Sequence, residues 1–124
     1  VVHPLDAPNG IGLSPDGTRL YAAETHTGRV FAWDVTGPGQ VAASTPVGHG
    51  GHLLAGSANM QLFDSLAVDG DGSKVEHTPL EDPLVTNICF GGPDQRTAYC
   101  TLSGTGQLVS FRWPRKGLRL PYAR

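Results

Sequence analysis

The chain has 124 residues, 17 of them glycine and 10 proline, with a formal net charge of −2 at neutral pH. No basic face dominates, and no apolar run approaches the ~20 residues of a membrane-spanning helix, so neither nucleic acid nor a bilayer is expected as a partner. Five of the nine basic residues, Arg112, Arg115, Lys116, Arg119 and Arg124, crowd the last 13 positions, a pattern read as a solvated tail before an anion-binding one.

Glycine and proline are spread evenly between Val, Thr, Tyr, Phe and Trp, the texture of many short strands joined by tight turns. In chain order, apolar runs predict strands at 10–14, 19–24, 29–35, 40–45, 64–69, 74–78, 86–90, 97–102 and 107–113. Leu20 to Ala23 and Val30 to Trp33 are apolar on both faces, as expected of strands covered on both sides. Pro15-Asp16-Gly17, Thr27-Gly28, Gly70-Asp71-Gly72, Pro93-Asp94 and Gly104-Thr105-Gly106 supply turns. The stretch from Gly48 to Gln61 has no clear period and is expected to be a long loop. No i, i+3, i+4, i+7 stripe is sustained, so essentially no helix is expected. At this length the chain is one domain or part of one, and 1–124 is taken as a single region.

Three stretches begin alike: Asn9-Gly-Ile-Gly-Leu-Ser-Pro-Asp-Gly, Asp64-Ser-Leu-Ala-Val-Asp-Gly-Asp-Gly and Asn87-Ile-Cys-Phe-Gly-Gly-Pro-Asp. An offset of 78 carries Asn9 to Asn87, Pro15 to Pro93, Asp16 to Asp94, Tyr21 to Tyr99 and Gly28 to Gly106, and an offset of 55 carries Asn9 to Asp64. Repeats of roughly 40–50 residues with about four strands each are the signature of propeller blades. If the three stretches are equivalent first strands around one axis, Asn9, Asp64 and Asn87 converge, and their oxygens suit a hard cation. The middle repeat passes from Asp71-Gly72 straight into Ser73-Lys-Val-Glu-His, so a central hairpin looks deleted there.

The stretches Ala7-Pro-Asn-Gly-Ile-Gly-Leu-Ser-Pro-Asp-Gly-Thr-Arg-Leu-Tyr-Ala-Ala-Glu-Thr, Phe63-Asp-Ser-Leu-Ala-Val-Asp, Pro83-Leu-Val-Thr-Asn-Ile-Cys-Phe-Gly-Gly-Pro-Asp and Thr101-Leu-Ser-Gly-Thr-Gly occur in this order. Together they resemble the senescence-marker-protein-30/gluconolactonase/luciferin-regenerating-enzyme family, of which this chain corresponds to the C-terminal half. The resemblance implies an all-β fold, a fragment of a six-bladed β-propeller of about three blades, the middle one incomplete, with a homo-oligomer as one way to complete the ring. It further implies one divalent cation, calcium before zinc or manganese, with Asn9 and Asp64 as ligands and Asn87 lining the site. The implied substrate is a sugar lactone or related small cyclic ester. The cation would polarise its carbonyl, and Asp64 would double as the catalytic base toward water. A third carboxylate ligand has no counterpart in this chain. The runner-up expectation is a non-catalytic fragment that keeps a metal- or ligand-binding half-site and associates through open strand edges.

Other candidates read as structural. Asn9-Gly10 is also a common turn pair, and Asp69-Gly-Asp71-Gly-Ser73 lacks the spacing of a calcium-binding helix-loop-helix. His49 and His52 lie three apart without a third ligand at a telling distance. Ser14 lacks the closing glycine of a nucleophile elbow. Glu24-Thr25 reads as an exposed strand end before a channel-lining one. Phe31, Trp33, Phe111 and Trp113 recur at blade-equivalent positions and are expected to be core between blades. Cys89 and Cys100 read as small buried apolar residues before a bridge, which fits a reducing cytoplasm. A chain starting at Val1 is expected to be a processed or excised product.

Overall fold

The computed structural model describes residues 2–44, 48–57 and 78–119. Among them the chain is all-β, with eight strands in two antiparallel sheets and no helix. The strands are β1 (Pro8–Leu13), β2 (Arg19–Glu24), β3 (Arg29–Gly37), β4 (Gln40–Val41), β5 (His52–Gly56), β6 (Val85–Gly91), β7 (Thr97–Leu102) and β8 (Gln107–Arg112). They fall into two compact units, Val1–Pro79 and Leu80–Arg124. The strand expected at 64–69, the expected strand at 74–78 apart from Thr78, and the place after Gly72 where a hairpin deletion is expected lie outside the described residues.

In the first unit β1, β2 and β3 form a meander, and the far edge of β3 is shared. Its start, Arg29–Ala32, pairs with β5, and its end, Val35–Gly37, pairs with β4. The β1–β2 connection is held by Asp16. Its Oδ1 accepts hydrogen bonds from the Ser14 hydroxyl (2.5 Å), the Thr18 amide (3.0 Å) and the Thr18 hydroxyl (2.8 Å). The Ser14 hydroxyl and then the Thr18 groups lower its carboxyl to about 2. Tyr21, Ala22, Ala23, Val30, Phe31, Ala32 and Trp33 are all buried, so both faces of this hairpin are covered, as their unbroken apolar run requires. Around Ala22, Phe31 and Trp33 the half-buried Val2, Leu5 and Val41 complete one cluster.

The segment read as a loop from Gly48 to Gln61 contains β5. Leu53 in it is 50 % exposed, so the strand carries little of the burial pattern by which sequence alternation is recognised. It exists because the edge of β3 offers unpaired backbone groups that must be satisfied.

In the second unit β6, β7 and β8 repeat the first three strands. The six pairs joining β7 to β8, from Thr97↔Arg112 to Leu102↔Gln107, match the six joining β2 to β3, from Arg19↔Asp34 to Glu24↔Arg29, at an offset of 78 throughout. Both hairpins close through four residues ending in a left-handed glycine, Gly28 (φ 58°) and Gly106 (φ 67°), where any other residue would be strained. Ala98, Cys100 and Leu102 form the buried stripe. Cys100 is buried as expected and Cys89 is exposed; both are free thiols, and burial pushes the Cys100 thiol up. They occupy adjacent cross-strand rungs, Cys89↔Tyr99 and Ile88↔Cys100, and so face opposite sides of the sheet.

Asp82 staples this unit. Its Oδ1 accepts the amides of Leu84 (2.7 Å) and Gly104 (3.2 Å), and its Oδ2 accepts the amide and hydroxyl of Thr105 (both 2.7 Å). Residue 104 must be small, because a Cβ there would lie 2.6 Å from Oδ1. The Thr105 hydroxyl, followed by the Leu84, Thr105 and Gly104 amides, holds the Asp82 carboxyl below its ordinary value of 3.8. A depressed folded-state pKa gives stability that is present above the ordinary value and is lost as pH falls through the folded one. Asp82→Asn should therefore lower the thermal midpoint at neutral pH and flatten its fall in acid. Melts between about pH 2 and pH 7 check this; an acid limb as steep in the variant as in the parent would refute it. Asp16 and Asp94 remain to supply the rest of the limb, since both carboxyls are lowered in the same direction.

Candidate functional site

Asn9 lies on β1, where the ladder slips. The pairs Pro8↔Glu24 and Ile11↔Ala22 leave Asn9 and Gly10 facing the single residue Ala23. That arrangement is a β-bulge, a device that re-aims side chains at sheet edges and next to sites. Asn9 is exposed there. The residue before Pro8, Ala7, has φ 46°, so the chain makes a left-handed bend immediately before the strand that carries Asn9.

Asn87 is exposed on β6, pairs with Thr101, and accepts the Ile88 amide on its own Oδ1 at 2.8 Å. The pairing registers refine its relation to Asn9. Ile11↔Ala22, Gly12↔Tyr21 and Leu13↔Leu20 correspond to Ile88↔Cys100, Cys89↔Tyr99 and Phe90↔Ala98. The first strands are thus offset by 77, although their partners are offset by 78. Asn87 stands level with Gly10, and the position level with Asn9 is Thr86. The Thr86 hydroxyl is 3.0 Å from the hydroxyls of both Thr101 and Ser103. The extra residue sits between strand and turn, where Gly91-Gly92-Pro93 replaces Ser14-Pro15. Asn9 and Asn87 belong to separate compact units, and Asp64 lies outside the described residues.

Beside Asn9 the structure corrects the reading of Glu24. This residue, expected as an exposed strand end, is 5 % exposed. A buried carboxylate needs partners, and Glu24 has them. Oε1 accepts the Asp6 amide at 2.9 Å, Oε2 accepts the Thr27 hydroxyl at 2.6 Å, and His49 Nε2 is 4.0 Å from Oε1. His49 packs edge-on against Phe31 and Trp33, with ring centroids 4.3 and 5.3 Å away. Its Nδ1 accepts the Gly51 amide at 3.1 Å, which assigns the ring hydrogen to Nε2, toward Glu24. His52 is exposed at the start of β5, so the two histidines that sequence spacing brings together have different surroundings. Among the described residues no three His, Cys, Asp or Glu side chains are grouped to hold a metal. What Asn9 offers is a neutral amide oxygen, a donor suited to calcium, which takes oxygen ligands, before zinc, which takes nitrogen and sulfur.

Comparison with known proteins bears on this same stretch. The family model described as the SMP-30/Gluconolactonase/LRE-like region matches residues 1–73. The chain is also 31 % identical over 114 residues to pentonolactonase XacC of Haloferax volcanii, an alignment covering 78 % of this chain and 38 % of the relative. The chain therefore spans well under half the length of that curated relative. The matched residues take in the β1 bulge, the Glu24 cluster and the Asp64 segment, and the chain belongs to the SMP-30/gluconolactonase/LRE-like family.

Proposed function

We propose that this chain carries part of a metal-dependent lactone hydrolase built on a β-propeller, the two sheets being blades of that ring. The observation that carries the proposal is the family match over residues 1–73, which contains both Asn9 and Asp64. The relative whose name states a pentonolactonase activity points to sugar lactones as the substrate class. The identical β2–β3 and β7–β8 registers support blades as the repeating unit, about three in this chain, of six in the full ring.

On this reading the amide oxygen of Asn9 and the carboxylate of Asp64 hold a divalent cation, calcium before zinc or manganese. When bound, such a cation supplies polarisation of the lactone carbonyl and charge for the developing oxyanion. Asp64 accepts a proton from the attacking water at its carboxylate. Asn87 is kept as a site-lining residue, its amide being able to offer hydrogen bonds to substrate hydroxyls. A second copy of the chain would supply further blades toward a closed ring. Ile11 and Leu13, 70 % and 56 % exposed on the same side of β1, favour such self-association, because paired exposed apolar residues on a strand that ends its sheet among the described residues invite a partner.

The test is hydrolysis of a sugar δ-lactone by the full chain, with and without a chelator, beside a calcium titration followed by thermal shift. Calcium that binds only the folded state should raise stability by about 2.7 kcal/mol at 100 times its Kd, and turnover should disappear with chelator and return with calcium. Calcium binding without turnover would favour the non-catalytic half-site instead. Failure of both would remove the metal reading.

A further inference from the structure

We propose that Glu24 is the positioning residue for Asn9, acting through the bend at Ala7; the inference rests on the reading of Asn9 as a ligand. Glu24 pairs across the strands with Pro8, one residue before Asn9. It also ties together three segments distant in sequence. Asp6 belongs to the N-terminal arm, Thr27 to the β2–β3 loop, and His49 to the loop before β5, and all three converge on one buried carboxylate.

Its leverage on Asn9 comes from where Asp6 lies. The Asp6 amide bonds to Glu24, and the next residue, Ala7, accepts the Thr25 amide on its carbonyl at 3.0 Å. Residues 6 and 7 are thus pinned to residues 24 and 25 in succession. Between these two bonds and Pro8, Ala7 adopts φ 46°, a left-handed conformation that a residue with a Cβ holds only where its surroundings over-determine it. Pro8 then fixes its own φ through its ring, and Asn9 enters the bulge. Along the path from carboxylate to Asn9, Asp6 and Ala7 are each held by a hydrogen bond and Pro8 by its ring. The other end of the lever is anchored in the core, because His49 rests on Phe31 and Trp33 and its carbonyl accepts the Trp33 indole N–H at 3.1 Å. Groups that orient a ligand without touching the metal commonly change affinity by about 10–100-fold when lost.

Two variant sets in the full chain test this, with calcium alone as the probe. Glu24→Gln keeps the size of the side chain and one accepting oxygen, but cannot accept both bonds as a carboxylate does. It should weaken calcium binding about 10-fold by calorimetry. The amide resonances of Asn9 and Gly10 should move with it, while those of Asn87 and Thr101 stay in place. Thr27→Val removes one bond to Glu24 and should weaken calcium less; Thr27→Ser keeps the hydroxyl and should restore it. A merely structural Glu24 would lower the melting temperature and leave the affinity of the folded variant and the Asn9 and Gly10 resonances as in the parent, and that result overturns the proposal. If Glu24→Gln does not fold, the Thr27 pair decides: equal affinities in Thr27→Val and Thr27→Ser overturn it. If the parent itself binds no calcium, the ligand reading of Asn9 falls separately. The resonances of Asn9 and Gly10 then decide the positioning role alone, upheld if they move in Glu24→Gln and overturned if they do not.

Discussion

Trp33→Ala should cost about 3–5 kcal/mol of folding stability, a large part of the roughly 5–15 kcal/mol that holds a domain together. Trp33 is 1 % exposed, sits in the middle of β3 and anchors the cluster formed with Ala22 and Phe31. Its loss leaves a cavity that two neighbouring strands cannot close, since their ladder bonds hold them apart. It also strips the donor from the His49 carbonyl. The loop before β5 is shaped to this ring: a Cβ on Gly51 would lie 2.5 Å from the indole, so the backbone passes where only glycine fits. Trp113 is the contrasting case. It is half-buried on the second unit, edge-on to Phe90 at 6.1 Å and beneath Arg115 at 5.9 Å. Trp113→Ala should cost much less. Urea unfolding of both variants, followed by circular dichroism, checks the ranking, and equal losses would contradict the placement of the core.

The same contrast explains what could be read from the chain and what could not. Strands with alternating or unbroken apolar runs were legible to within a few residues: 19–24 and 97–102 coincide with β2 and β7, and 29–35 falls within β3. Their turns were legible too, because Asp16 and Asp94 act locally, each bonding an amide two residues ahead. β5 was illegible because its own residues do not require a strand; the unpaired edge of β3 does. The burial of Glu24 was illegible for a related reason. Its partners Asp6 and His49 lie 18 and 25 positions away, and a charged residue closing a strand ordinarily points to water. The site residues fall between these cases. The resemblance of the first strands singled out Asn9 and Asn87, but a constant offset cannot detect a one-residue slip between strand and turn. Only pairing registers show that Asn87 stands level with Gly10.

Asp64→Asn should lower lactone hydrolysis about 10²–10⁴-fold, the span that a positioned general base contributes. The substitution separates the two roles proposed for this residue. Asparagine matches aspartate in size and retains an oxygen that can face a cation, but it cannot take a proton near neutral pH and brings no charge. Metal affinity should therefore fall, and raising calcium should refill the site, as thermal shift would report. Turnover should not return with occupancy if, as proposed, the step lost is proton acceptance from water. On the proposed assignment Asn9→Ala has the opposite signature: it would remove a ligand oxygen and leave the base, so excess calcium should recover most of kcat. Measuring kcat against calcium for both variants distinguishes the roles. Recovery of turnover in Asp64→Asn at saturating calcium would reduce Asp64 to a ligand and require the base to come from elsewhere in the ring. Persistent loss in Asn9→Ala at saturating calcium would show that this amide contacts the reacting lactone as well as the cation.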